Sequence, residues 1–309
     1  MRHLPTAALH LLAAWFNRLP SCGLPRSWLT SSITPLWKGR GSPTDPNTYR
    51  SLFVMHPVAK LFALTLLGRL DTAAEANAWC AHEQVGFCHG YRIEDHQLLM
   101  TYILQCAAAG RGPVALGFID LTKAYDSVPR ARLWSVLADE LGVAADLQDG
   151  ILSLYRDSVA VVRVGSSHSA PFPVTQGVKQ GCPMSPCLFS LFFDRVSAYL
   201  LEHAPGRTRL HCPYLTALTL CILLYADDVV LLATSAVQLQ VLLHFFGTFC
   251  TQEGLTVSED KLQVLLHGCS PLPLPFTCQG KMLQLVPGYK YLGQRVTVRP
   301  SLLFDLASH

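Results

Sequence analysis

The chain has 309 residues, 50% of them apolar, and 24 basic against 21 acidic side chains for a formal net charge of +3. That length and apolar content predict a globular protein of one large domain or two ordinary ones, and the weak positive charge permits a nucleic-acid partner without requiring one. The eleven cysteines form no CxxC pair, and Cys182 and Cys187, the closest two, have no second pair at zinc-finger spacing, so the expectation is an intracellular protein with scattered free thiols.

The N-terminal AALHLLAAWF holds His10 and is followed by NRLP instead of a small-residue cleavage site, so it reads as an amphipathic helix. The loop GSPTDPN, 41 to 47, separates this helical piece from the rest. VALGFIDL, 114 to 121, reads as a short buried strand. SVPRARLWSVLADELG reads as a helix with Ser127 as N-cap, Pro129 in its first turn and Gly142 as its stop. SPCLFSLFFDRVSAYLLEH carries apolar residues at helical spacing, with Ser185 capping and Pro186 opening it. LTLCILLYADDVVLLAT is two apolar runs around ADD, which suits a tight hairpin with the acids at its tip. The pair also breaks the longest apolar run, so no membrane span is expected. After it, Ser235 and Gln238 form a capping box for a helix that Gly254 ends, and a last strand runs near Leu262 to Leu266. The order strand, helix, hairpin, helix, strand is the split βαβ plan, an antiparallel sheet with helices packed on one face.

Asp227 and Asp228 lie in the most apolar part of the chain, where an unpaired charge costs several kcal/mol. The split βαβ plan sets the strand ending in Asp120 beside the hairpin that carries them, so three carboxylates meet at one sheet edge. Such charges repel and raise one another's pKa unless a cation neutralises them, and hard oxygen donors with room for water and phosphate suit Mg²⁺. Two ions about 4 Å apart would serve an in-line phosphoryl transfer. Taken alone, an acidic pair at a hairpin tip is equally an ordinary turn.

The remaining motifs bear on that choice. FIDLTKAYDSV, QGVKQGCPMSPCLFSLFF, YADDVVLL, GLTVSEDKLQVLL and YKYLG, in that order, resemble the successive palm motifs of reverse transcriptases. PLWKGRGSPTDPNTYR and EQVGFCHGYRIEDH resemble the finger motifs of the non-LTR retrotransposon (LINE-like) branch, and the resemblance spans roughly Ile33 to Gly293. It implies an α+β right-hand polymerase: an N-terminal helical extension over 1–32, fingers over 33–112 and 129–181, a split βαβ (ferredoxin-like) palm over 113–128 and 182–293, and the start of a truncated thumb over 294–309. The implied activity is RNA-directed DNA synthesis, with two Mg²⁺ ions, replaceable by Mn²⁺, an RNA template with a DNA primer, and dNTPs. The metal ligands would be Asp120, Asp227 and Asp228. Lys261 matches the lysine that protonates the pyrophosphate, Tyr125 the aromatic steric gate under the sugar, and Gln180 and Gly181 the loop at the incoming nucleotide. Lys123, Lys179 and Arg92 are candidate phosphate contacts, and Tyr291, Leu292 and Gly293 match the primer grip. The resemblance further implies an intracellular site of action, nuclear for a eukaryotic retroelement, and identifies no protein partner.

The chain departs from the family pattern in the fingers. GFCHGYRI stands where GFRPGRST is usual, so Cys88 and Tyr91 replace two arginines and Arg92 is shifted by one. YRSLFV replaces YRPISL, and Ser258 and Leu262 stand beside the lysine in place of Asn and Thr. With no full thumb, poor processivity would follow. Two alternatives stay open: an RNA-directed RNA polymerase, against which Tyr125 argues because an acid usually reads the ribose there, and a catalytically inactive scaffold or decayed retroelement copy.

Overall fold

The computed structural model describes residues 5–88, 90–204, 209–210 and 218–297. Most of the thumb segment expected over 294–309 therefore lies outside the described residues. Two compact units are formed from interleaved segments: Met1–Trp79 with Tyr125–Phe192, and Cys80–Ala124 with Phe193–His309. Among the described residues no helix is long and apolar enough to cross a membrane, and no cysteine is in a disulfide bond.

In the first unit, the strand Thr30–Trp37 pairs antiparallel with Tyr49–Val54 and parallel with Val159–Val164. The N-terminal helix Thr6–Cys22 buries only Phe16 and Leu19, and Phe16 meets Phe62 of the helix Pro57–Ala76 edge-on at 5.1 Å. The amphipathic reading of the N-terminus therefore holds.

The helix expected from Ser127 starts later. A short turn, Ala124–Ser127, ends before Pro129, and the helix proper runs Arg130–Ser135 and continues as a π turn over Val136–Glu140. A residue before proline is pushed out of the helical region, so Val128 cannot carry a helix from Ser127 through Pro129. Pro129 itself takes the cap position, at φ −71° and ψ 111°. Gly142, at φ +65°, does follow the helical stretch. The segment from Ser185 onward is likewise not one helix but two, Ser185–Phe193 and Arg195–His203, separated by Asp194.

In the second unit, a five-stranded sheet has the spatial order Gln284–Leu285, Gln263–His267, Val114–Asp120, Asp228–Ala233, Ile222–Tyr225. Val114–Asp120 is central and antiparallel to both neighbours. Its residues are buried on both faces up to Ile119, which one helical layer could not achieve. Val114, Leu116 and Phe118 pack with Met100, Ile103, Leu104 and Ala107 of the helix Ile93–Ala108. A side chain at Gly117 would instead meet Leu239 and Leu243 of the helix Ala236–Gln252. Helices thus cover both faces, not the single face expected from the sequence. The capping of Ala236–Gln252 is half as expected: Ser235 Oγ accepts from the Gln238 N–H, while Gln238 Oε1 turns back to Thr234.

Candidate active site

Period-two alternation puts Val114, Leu116, Phe118 and Asp120 on one face of the central strand. Asp228 pairs directly with Asp120 across the ladder and therefore shares that face. The hairpin closes between Tyr225 and Asp228, so Ala226 and Asp227 make a two-residue turn, with Ala226 in the left-handed region at φ +54°. A non-glycine residue there stores strain that the surroundings must hold.

Lys261 reaches the acids through its own stretch of backbone. The amide of Thr122 bonds the Thr256 carbonyl and that of Ser258 bonds the Asp120 carbonyl, at 2.8 and 2.7 Å. The following turn, Glu259–Lys261, brings Lys261 Nζ to 2.9 Å from Asp120 Oδ2. Burial, then the charges of Asp120 and Asp228, push the Asp227 carboxyl up to about 6. Burial also raises Asp228, opposed by Lys261.

Tyr289, which the sequence did not single out, stands near these charges. Its ring stacks on Phe118 with centroids 4.1 Å apart, and burial followed by the charges of Asp228 and Asp120 raises its hydroxyl to about 12. The signal for it was the spacing of Tyr289 and Tyr291, which puts both rings on one face of the strand Gly288–Tyr291. Tyr291 itself is 3% exposed and packs in the core, with its hydroxyl 3.2 Å from His96 Nδ1. What the hairpin offers outward is its turn, where Leu292 and Gly293 both take positive φ, +46° and +85°, as a two-residue I′ connection demands. Gln97 Nε2 donates to the Leu292 carbonyl at 2.7 Å and fixes that turn to the helix Ile93–Ala108.

Lys123 is exposed with φ +48°, and Arg92 is an exposed residue at the start of Ile93–Ala108, where its amide donates to Asp95. Tyr125, Gln180 and Gly181 belong to the other unit. There the Tyr125 ring stacks on Phe189 at 4.9 Å and Gln180 Nε2 donates to Asp126 Oδ1 at 3.0 Å. Gly181, at φ +116°, lies so close to the Phe53 carbonyl that a Cβ would collide with it, which explains a glycine here. Lys179 is not a phosphate contact: it is 2% exposed, and its Nζ donates to the Leu154 carbonyl at 2.9 Å over the Tyr155 ring. Burial lowers its pKa to about 8.

Among the described residues, no three acidic, histidine or cysteine side chains close a cage around an ion by themselves. The donor set still fits Mg²⁺, which keeps several waters and takes one or two carboxylates plus substrate phosphates. Burial first, and then the charges of Asp120 and Asp228, hold the Asp227 carboxyl up, and a bound cation would relieve the charge part of that shift.

The family described as "Reverse transcriptase (RNA-dependent DNA polymerase)" matches residues 38–296. The chain is 26% identical to a probable RNA-directed DNA polymerase from transposon BS of Drosophila melanogaster, over 98% of the chain and 34% of that protein. It is 26% identical to the RNA-directed DNA polymerase from mobile element jockey of the same fly, over 99% of the chain and 33% of the relative. A Pol polyprotein of retrotransposable element R2 from Popillia japonica is 25% identical over 87% and 38%. The chain thus spans 33% to 38% of these relatives' length. Apo telomerase from Candida tropicalis shares the fold at a TM-score of 0.58 and 10% identity, covering 94% of this chain and 59% of that one. With the ordered palm motifs and the paired acids at the sheet edge, these matches establish that the chain belongs to the reverse transcriptase (RNA-dependent DNA polymerase) family, with relatives among non-LTR retrotransposon enzymes.

Proposed function

We propose that this chain is the polymerase core of a retroelement enzyme that adds deoxynucleotides to a DNA primer 3′ end on an RNA template, with Asp120, Asp227 and Asp228 as the ligands of two Mg²⁺ ions. The observation that carries the reading is the direct pairing of Asp228 with Asp120 beside the Asp227 turn, with Lys261 on Asp120. Mg²⁺ bound there would neutralise the triphosphate and acidify the attacking 3′ hydroxyl, and Mn²⁺ could take its place.

The chain's own groups have separable tasks. Asp120 and Asp227 supply hard oxygen donors, and Asp228 supports them from the adjacent position. Lys261 holds Asp120 by its charge and carries a proton at Nζ that the departing pyrophosphate needs. By their match to the family motifs, Tyr125 is the proposed sugar gate, Gln180 and Gly181 the proposed nucleotide loop, and Lys123 and Arg92 proposed phosphate contacts. The turn Leu292–Gly293 meets the primer backbone, and Tyr291 anchors that turn in the core. Action inside the cell, and in the nucleus of a eukaryotic host, belongs to the same proposal.

Retention of all three acids with their lysine favours this reading over an inactive scaffold. Template-dependent extension of a DNA primer annealed to RNA, with purified protein, Mg²⁺ and dNTPs, tests it. RNA binding without extension would support the scaffold.

A further inference from the structure

The turn that presents Asp227 is held from behind by a side chain outside the acid motifs. The segment Glu83–Gly86 runs along the hairpin strand Ile222–Tyr225: the Leu224 amide bonds the Glu83 carbonyl at 2.9 Å, and the Val85 amide bonds the Leu224 carbonyl at 3.0 Å. Within it Gln84 is fully buried. Its Oε1 accepts from the Ala226 N–H at 3.0 Å and from the Gly86 N–H at 2.8 Å. Its Nε2 donates to Asp194 Oδ1 at 3.0 Å, and Asp194, 4% exposed, also accepts from the Ala81 N–H at 3.4 Å.

These bonds leave the carboxamide one orientation. Two backbone N–H groups need an acceptor on one side, and Asp194 takes the Nε2 donor on the other. Flipping the amide would set donor against donor at Ala226. The approach is also tight, since a Cβ on Gly86 would strike the Ala226 amide nitrogen, which explains the glycine that follows Val85. Ala226 is the left-handed residue of the turn, and its strained conformation needs surroundings that hold it in place.

We propose that Gln84, oriented by Asp194, is a positioning residue for nucleotidyl transfer: by gripping the Ala226 N–H it fixes the strained turn that aims the Asp227 carboxylate. The proposal rests on the reading of the acids as the catalytic metal site, and it assigns a catalytic purpose to a residue of the fingers-like motif EQVGF. Losing one buried hydrogen bond to the turn corresponds to about a tenfold effect on rate.

Gln84→Met keeps the volume and removes the acceptor. Gln84→Glu keeps the acceptor but removes the amide donor that Asp194 bonds and sets one buried acid against another. Adding Asp194→Asn to Gln84→Glu restores the bond between the two side chains with its polarity reversed, because the introduced amide nitrogen can donate to the introduced carboxylate, while the amide oxygen still accepts from the Ala81 N–H. The measurements are kcat and KM for dNTP, Mn²⁺ affinity by spin-resonance titration, deuterium exchange of the Tyr225–Asp228 peptide, and the thermal midpoint.

The expected result is that each single variant lowers kcat and Mn²⁺ affinity about tenfold, leaves KM within about twofold and exchanges the turn faster. The double variant recovers all three. Wild-type kcat, metal affinity and exchange in Gln84→Met would overturn the proposal, as would a double variant that regains thermal stability without regaining them. If the unaltered protein extends no primer, the polymerase reading fails by itself. Exchange of the turn still decides the grip of Gln84, and unchanged protection in Gln84→Met overturns it.

Discussion

Asp228 stands directly opposite Asp120 across the antiparallel strands Asp228–Ala233 and Val114–Asp120. Two carboxylates in register on one face do not stabilise a fold, since like charges directly opposite are unfavourable, so their value lies in what they bind. Asp120→Asn and Asp227→Asn are each expected to lower primer extension by about a hundredfold to a thousandfold, the range for removing one preorganised electrostatic group. Asp228→Asn should cost less. Single-turnover extension with each variant checks the ranking.

Asp227 makes a second prediction, of opposite sign for stability. Its folded carboxyl titrates near 6 against the usual 3.8, so the unfolded chain ionises more readily. The penalty on folding is absent below about pH 4, grows between 4 and 6, and is complete above 6. At pH 7.5 without metal, Asp227→Asn should stabilise the chain by up to about 3 kcal/mol, while lowering primer extension by about a hundredfold to a thousandfold. Mg²⁺ should raise the melting temperature of the unaltered chain and chelation should lower it, with little response from the variant. Calorimetry at pH 7.5 and pH 4 reads both effects.

His96 is the counterpart. It is 2% exposed, and burial lowers its pKa to about 4, opposed by the Glu83 carbonyl. A depressed histidine contributes stability that is present above its unfolded value of 6.5 and is lost as pH falls towards 4. His96→Gln, which can keep both bonding partners without titrating, should remove about 3 kcal/mol of that acid sensitivity. Urea unfolding of both proteins between pH 7 and pH 4 measures the difference.

Lys261 is about one third exposed, so its pair with Asp120 adds little to stability. Lys261→Met should leave the melting temperature within a few degrees yet lower kcat by about a hundredfold, as for loss of a general acid. Lys261→Arg, which keeps the charge but hardly releases a proton, should recover only part of that loss.

Tyr125→Val tests the sugar gate. Shortening the ring should raise ribonucleotide incorporation relative to deoxynucleotide by about tenfold or more, the value of an opened steric pocket, with the dNTP rate changed much less. Competition between dCTP and CTP on one template position gives the ratio.

The sequence made the palm readable because its signals are local. The apolar run around Ala226–Asp228 dictates a hairpin, and the strand ending at Asp120 is short, apolar and bounded. Contacts carried by single side chains across long sequence distances were not readable. Gln84 meets Ala226 over 142 positions and Asp194 over 110, with no periodicity to announce it. Nor does sequence spacing reveal that Lys179 folds inward onto the Leu154 carbonyl, or that Tyr291 is an anchor while half-buried Leu292 and exposed Gly293 make the turn. The broken helix at Pro129 was the exception: the restriction that proline places on Val128 was available in the sequence, and the apolar periodicity that continued across it obscured it.

The central claim is tested most directly by extension of a labelled DNA primer on an RNA template with Mg²⁺, comparing dNTPs with NTPs and the unaltered protein with Asp227→Asn. Extension with dNTPs, weak with NTPs and lost in the variant, is the predicted result. Absence of extension by the unaltered protein under Mg²⁺ and Mn²⁺, with RNA binding intact, or extension that survives Asp227→Asn, would contradict it.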